Sequence, residues 1–379
     1  MDAANAITPL VASREHVRFT ELDSLRGIAT LVIVCAHIEM RPLFWSWSLM
    51  DMFFVLSSFL LTRIVFNKCS DFAGVVAFYG RRIERIWPLY FLTVSVLFVI
   101  TIVTNHQHGF AAFDVTVFAR YYTFSQYSEM LFYPVTGYDY ISYARHLWSL
   151  AIEEQFYVLL PLAILLLRQT PVAVWLTFLL AITLASIALR AANPNMYVLT
   201  SHGDAFALGS LMALTFGRMS AQTVWATRVL LCIAAISLMC FLPYLLDGYR
   251  SLLQGGAVPG YEATAATAST LFWTAAIGLL ALQRGASSLG MMRSPVFVHV
   301  GRLSYALYLV HYPVLRLMAK PLAEKIPGLT LLTAELLCLP LIWLLAEVLY
   351  RTIDRPLQER KASNLRGGVT AKPTANVVL

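Results

Sequence analysis

The chain reads as a succession of apolar runs, most of them about 17–22 residues long, each enough to cross a bilayer as a helix. Ten can be placed, near 24–40, 49–66, 87–104, 148–167, 172–189, 203–217, 228–246, 267–283, 300–319 and 331–351. The pattern predicts an all-α fold, a polytopic membrane bundle of about ten transmembrane helices occupying residues 1–356, with no second globular unit and no clear internal repeat. Residues 357–379 are polar and read as a disordered tail. The longest outer segment, 105–145, is crowded with Phe and Tyr. It reads equally as a lid or binding surface and as an interfacial aromatic belt.

Charge sets the orientation. With the N-terminus inside, about 17 Lys/Arg fall in inner segments and about 7 in outer ones, as the positive-inside rule requires. An even number of spans then returns the C-terminus to the cytoplasm. The chain is 59% hydrophobic and 13% charged, against roughly a quarter charged in soluble domains. That excludes a soluble protein, and the net charge of +7 follows from topology rather than from nucleic-acid binding. The five cysteines, at 35, 69, 232, 240 and 338, are scattered and mostly apolar in setting, so neither a disulfide framework nor a metal site is expected. The start of the chain lacks a short apolar segment with a cleavage site, so the first span is expected to remain in the mature protein.

Ionisable residues inside apolar runs then single out candidate chemistry, because charge in lipid is expensive and is tolerated mainly where it faces protein or water. In LDSLRGIATLVIVCAHIEM (22–40), Asp23, Arg26, Thr30 and His37 fall on one helical stripe. Arg26 and His37 lie roughly 16 Å apart along the axis. In FYGRRIERIWPLYFL (78–92), Arg81, Arg82 and Arg85 stand just inside the membrane, with Arg82 and Arg85 on one face. They suit an anion cradle, and topology anchoring would account for them as well. In RHLWSLAIEEQFYVLLP (145–161), Glu153 and Glu154 sit within an apolar helix, and Ser149, Glu153 and Tyr157 share a face. Ser304, Tyr308 and His311 share a face of the ninth run, with His311 at a depth like that of His37 and Arg302 marking the inner end. Asp51, His202 and Asp204 lie near outer ends, and Glu347 with RTIDRPL (351–357) closes the last run. Singly, each of these fits helix packing.

Together, LDSLRGIATLVIVCAH (22–37), FFVLSSFL (53–60), RRIERIWPLYFL (81–92), HLWSLAIEEQFYVLLP (146–161), DAFALGSLMA (204–213) and LSYALYLVHYPV (303–314) resemble, in order, acyltransferase family 3, the membrane acyltransferases that modify bacterial surface sugars and some glycosides. The resemblance implies that Arg26 and His37 are the family's Arg-x10-His pair, that Arg82 and Arg85 are its Arg-x-x-Arg pair, and that Trp148, Glu153 and Glu154 carry its tryptophan and glutamates. This sequence departs from the family in having Ser58 for a glycine, Asp354 for a glutamate and no arginine just upstream of Asp204. The family's fused outer esterase-like domain is not expected. The expected donor is a cytoplasmic acyl-CoA, acetyl-CoA being the commonest, bound by Arg82, Arg85, Arg81 and Arg26, with no metal. His37 is expected to act as general base or transient acyl carrier, assisted by Glu153 or Glu154. Trp148, His311, Tyr308 and Asp204 are expected to hold a carbohydrate or glycoside acceptor. A bacterial inner membrane is the expected location. A saccharide or anion transporter would also place ionisable residues at midplane.

Overall fold

The computed structural model describes residues 19–38, 40–104, 115–126 and 143–357. Those residues form helices and turns and no strand. The tail beyond residue 357 and most of the aromatic segment 105–145 lie outside them. In chain order the helices are α1 (Thr20–His37), α2 (Ser48–Lys68), α3 (Phe72–Thr104), α4 (Val115–Tyr122), α5 (Trp148–Leu167), α6 (Val172–Ala192), α7 (Gly203–Ala221), α8 (Thr223–Leu253), α9 (Ala263–Leu282), α10 (Pro295–Val314), α11 (Lys320–Lys325) and α12 (Leu331–Leu349). A 3-10 segment, Arg41–Trp47, leads into α2, and π-helical turns follow α10 and α12.

Each of the ten apolar runs lies on one of the long helices. Seven (α2, α3, α5, α6, α8, α9 and α12) are long and apolar enough to cross a membrane by length and composition alone. The others, α1, α7 and α10, fall short because they carry Asp23, Arg26, His37, Asp204, Arg302 and His311. They tolerate these residues because other helices surround them. The sheath is the reverse: α6 exposes Leu180 and Leu184, α8 exposes Leu231, Ile236 and Met239, and α12 exposes Leu337 and Leu344. In water such a surface would be an aggregation liability; against lipid it is solvated. The chain is a multi-pass membrane helical bundle.

One boundary differs from expectation. Helix α3 begins at Phe72 rather than near 87, so Arg81, Arg82 and Arg85 ride on a helix and not in a loop. At ~1.5 Å per residue its 33 residues span about 50 Å, well over the ~30 Å of hydrocarbon. Its arginine turns therefore extend past the apolar layer.

Helix α1 lies along α10, α2 along α7 and α8 along α9. The first two contacts are backbone-close. A Cβ on Gly27 would come within 2.5 Å of the Gly301 nitrogen, and one on Gly301 within 2.1 Å of the Asp23 carbonyl oxygen. Small residues allow this approach in membranes. Between α2 and α7, a Cβ on Gly209 would fall 1.9 Å from Ser58 Oγ. Thr62 also donates to Ser210 across the same seam at 2.9 Å. The serine that replaces a glycine at position 58 is thus accommodated by a glycine on the facing helix.

Gly301→Ala should lower the melting midpoint of the detergent-solubilised protein by several degrees, because the clash is with backbone and overpacking costs about 1–3 kcal/mol. Gly80→Ala, where an added Cβ meets nothing within 4 Å, should not. Equal midpoints would contradict this packing.

Candidate active site

A cavity of about 740 Å³ opens among α1, α2, α3, α5, α10 and the end of α12. Helix α1 contributes Asp23, Arg26 and Thr30, α3 contributes Arg82 and Arg85, and α5 contributes Ser149, Glu153 and Tyr157. Ser304, Tyr308 and Arg302 come from α10, and Arg351, Asp354 and Arg355 from the turn after α12. Six arginines line the space with four carboxylates, Asp23, Glu153, Glu347 and Asp354. The described residues put no carboxylate within ion-pair distance of Arg26, Arg82, Arg85 or Arg302. Arg82 lies instead over aromatic rings, 5.6 Å from the Phe78 centroid and 5.2 Å from that of Tyr157. Arg81 is not among the lining residues.

The adjacent glutamates diverge, as neighbours on a helix must. Glu153 faces the cavity and accepts from Ser57 Oγ at 2.9 Å and from the Tyr157 hydroxyl at 2.7 Å. Glu154 turns toward Trp87, whose indole N–H reaches Oε2 at 3.3 Å, while its Oε1 is buried without a hydrogen-bond partner. Neither glutamate bonds His37.

His37 lies at the other end of the α1 stripe, outside the cavity lining. Its ring stands 5.1 Å from His311 and 5.1 Å from Tyr312, and His311 stands 5.2 Å from His146. His37 Nδ1 is 2.8 Å from the Ile33 carbonyl. A carbonyl only accepts, so in the neutral ring Nδ1 carries the proton and Nε2 presents its lone pair. His311 repeats this, with Nδ1 3.1 Å from the Leu307 carbonyl and Nε2 buried without a partner. Between this cluster and the cavity stands Tyr308. Its hydroxyl donates to the His146 carbonyl, so the 2.7 Å contact with Ser149 is donated by Ser149 Oγ. Arg26 and Thr30 therefore line the cavity, whereas His37, on the same stripe, is one aromatic layer beyond it. The Ser149–Tyr308 pair stands between the two.

Two other expected acceptor residues lie elsewhere. Asp204 is bound by Arg190 through contacts of 2.6 and 3.1 Å, both side chains being essentially fully buried. Arg190 also donates to the Ser201 carbonyl and to Thr267. It supplies from α6 the cation that the segment upstream of Asp204 lacks. Beside it, His202 Nδ1 meets Asp51 at 2.9 Å, and its ring lies parallel to Trp148, 6.0 Å away. Asp204 and Trp148 thus belong to a closed ionic and aromatic node. Sequence reading missed Arg190, which ends an apolar run and passes for an outer anchor. It missed Arg351 and Arg355 too, although Glu347, Arg351 and Arg355 recur at i, i+4, i+8.

A family model described as Acyltransferase domain (acyltransferase 3) matches residues 19–347. The chain belongs to this family. The match takes in every cavity wall except Tyr350, Arg351, Asp354 and Arg355. Among curated relatives, the chain is 25% identical over 389 residues to peptidoglycan O-acetyltransferase OatA of Listeria monocytogenes, covering 95% of this chain and 58% of that protein. It is 25% identical over 361 residues to O-acetyltransferase OatA of Staphylococcus aureus, covering 89% and 57%. The chain therefore spans less than three fifths of the length of either relative. No solved structure matches it.

Arg190→Ala should strand a buried carboxylate and destabilise the protein by about 3–5 kcal/mol, with much of the loss recovered in Arg190→Ala/Asp204→Ala. Thermal unfolding of the purified variants measures both, and a double variant worse than either single would refute the pairing.

Proposed function

We propose that this family member moves an acyl group, acetyl in the first instance, from cytoplasmic acyl-CoA to a hydroxyl of a sugar-containing acceptor such as a cell-wall polysaccharide. Its place is the inner membrane of a bacterium. The observation that carries the reading is the cavity wall. Guanidiniums lining one cavity without carboxylate partners among the described residues call for an anion, and phosphate fits their forked donors. Arg82 and Arg85, with Arg26, would hold the donor's diphosphate, and Thr30, Ser149 and Tyr308 would bound its thioester end. The names of the relatives, O-acetyltransferases, support acetyl transfer to oxygen.

In the transfer, the acceptor oxygen attacks the thioester carbonyl carbon. The new C–O bond forms as the C–S bond breaks. His37 Nε2 takes the hydroxyl proton and returns it to the departing thiolate, leaving free CoA and a neutral imidazole. The Ile33 carbonyl holds the ring in the tautomer this needs. To bring thioester and imidazole together the Ser149–Tyr308 bond must open. Glu153 keeps Tyr157 and Ser57 fixed in the wall beneath Arg82 rather than orienting the histidine.

His37→Ala, inserted normally, should lose acetyl incorporation by about 10²-fold or more, the usual contribution of a general base. Mass spectrometry of surface glycans from cells with and without the gene would name the acceptor, and near wild-type incorporation by the variant would end this mechanism.

A further inference from the structure

The cavity carries a second set of cations that the diphosphate does not use. Arg302 stands in the first turns of α10, and Arg351 and Arg355 in the turn after α12, and all three line the same cavity as Arg26, Arg82 and Arg85. All three of these arginines are exposed. Arg302 has no ion-pair partner among the described residues. Glu347 organises the group. Its Oε2 lies 2.9 Å from His299 Nε2, and its Oε1 accepts from Arg351 Nε at 2.5 Å. Because the carboxylate takes only the Nε proton, the four terminal N–H donors of Arg351 stay available. The arrangement is a held fork and, lining the same cavity, a second guanidinium with no ion-pair partner among the described residues, a donor set suited to a dianionic phosphate.

Resting on the acyl-CoA reading, we infer that Arg302 and Arg351, with Arg355 beside them, form a subsite for a phosphate monoester, the 3′-phosphate of the donor nucleotide. The donor bears two separate anionic centres, a diphosphate and a ribose monoester, and one cavity carries arginines enough for both. The monoester set stands on α10 and the turn after α12, and the diphosphate set on α1 and α3. One ligand would then touch all four elements. Inner-leaflet lipid phosphate shares the same chemistry, and the test distinguishes it.

The measurement is equilibrium binding of acetyl-CoA and of 3′-dephospho-acetyl-CoA to the full chain in nanodiscs of zwitterionic lipid. The wild type should favour acetyl-CoA by about 10- to 100-fold, the worth of charge-assisted hydrogen bonds. Arg302→Gln and Arg351→Gln should each shrink that ratio, and together bring it near one. The dephospho form, lacking the group these side chains would hold, reports at the same time that the variants are folded. Arg85→Ala should weaken both ligands alike. Equal wild-type affinity for the two ligands would overturn the subsite and leave the acyl-CoA reading standing. So would a ratio undiminished in the double variant, or a change in the variants seen only when anionic lipid is added. Failure of the wild type to bind either ligand would overturn both.

Discussion

An ion in hydrocarbon must find an opposite charge, a hydrogen-bond cage or water, and this bundle is built on that constraint. It meets the constraint in two ways. On the α6–α7 side the charges are closed: Arg190 with Asp204, and Asp51 with His202, all buried and all bonded. On the α1–α3–α10 side they are open: Arg26, Arg82, Arg85 and Arg302 face a cavity without a carboxylate in pairing range among the described residues. A closed pair fixes helices against one another and leaves no net charge open. An open guanidinium wall is stable only because the cavity admits water or an anion. The same physical cost therefore separates the part of the polar interior that holds the fold from the part that stays open.

What lets the open wall face the histidines is a contact without side chains. Gly27 meets Gly301, and ten residues further along each helix stand His37 and His311, 5.1 Å apart. Contacts at both points mean that α1 and α10 run in the same direction and in register over about 15 Å. The stripe on α1 and the stripe on α10 then line one seam, Thr30 and Tyr308 at the cavity and the imidazoles above it. A larger residue at either glycine would part the helices where the register is set.

Much of this was legible in the sequence, and the rest fails for identifiable reasons. Helical periodicity puts Arg26 and Thr30 on one face because it is a property of one helix, and both line the cavity. The ten apolar runs each became a helix for the same reason. Periodicity is silent on what another helix inserts between two members of a stripe, and Tyr308 separates His37 from Arg26 in that way. It could not tell Glu153 from Glu154, which differ only in which neighbour their face meets. Arg190 and Asp204 lie fourteen residues apart in different helices, and nothing local joins them. The i, i+3 spacing already set Arg82 and Arg85 on one face apart from Arg81, and the helix that begins at Phe72 carries that face to the cavity. Ser58, a departure from the family's glycine, is matched by Gly209 on the facing helix, which nothing local in the sequence announces.

The partition at Tyr308 also makes energetic sense for acyl transfer. A thioester beside an activated imidazole is open to water, and the arginine end of the cavity must be wet when no donor is bound. On the cavity side the rings of Tyr308, His146, His311 and Tyr312 pack together beside His37 and separate it from that water. Moving Tyr308 aside breaks two neutral hydrogen bonds, to Ser149 and to the His146 carbonyl, each worth about 0.5–1.5 kcal/mol net. The proposed donor, held by several charge-assisted phosphate contacts, each about twice as strong as a neutral bond, would have more than enough binding energy to offset that opening. Water entering from the arginine end has nothing comparable. On that reading the partition opens more readily for the substrate than for solvent.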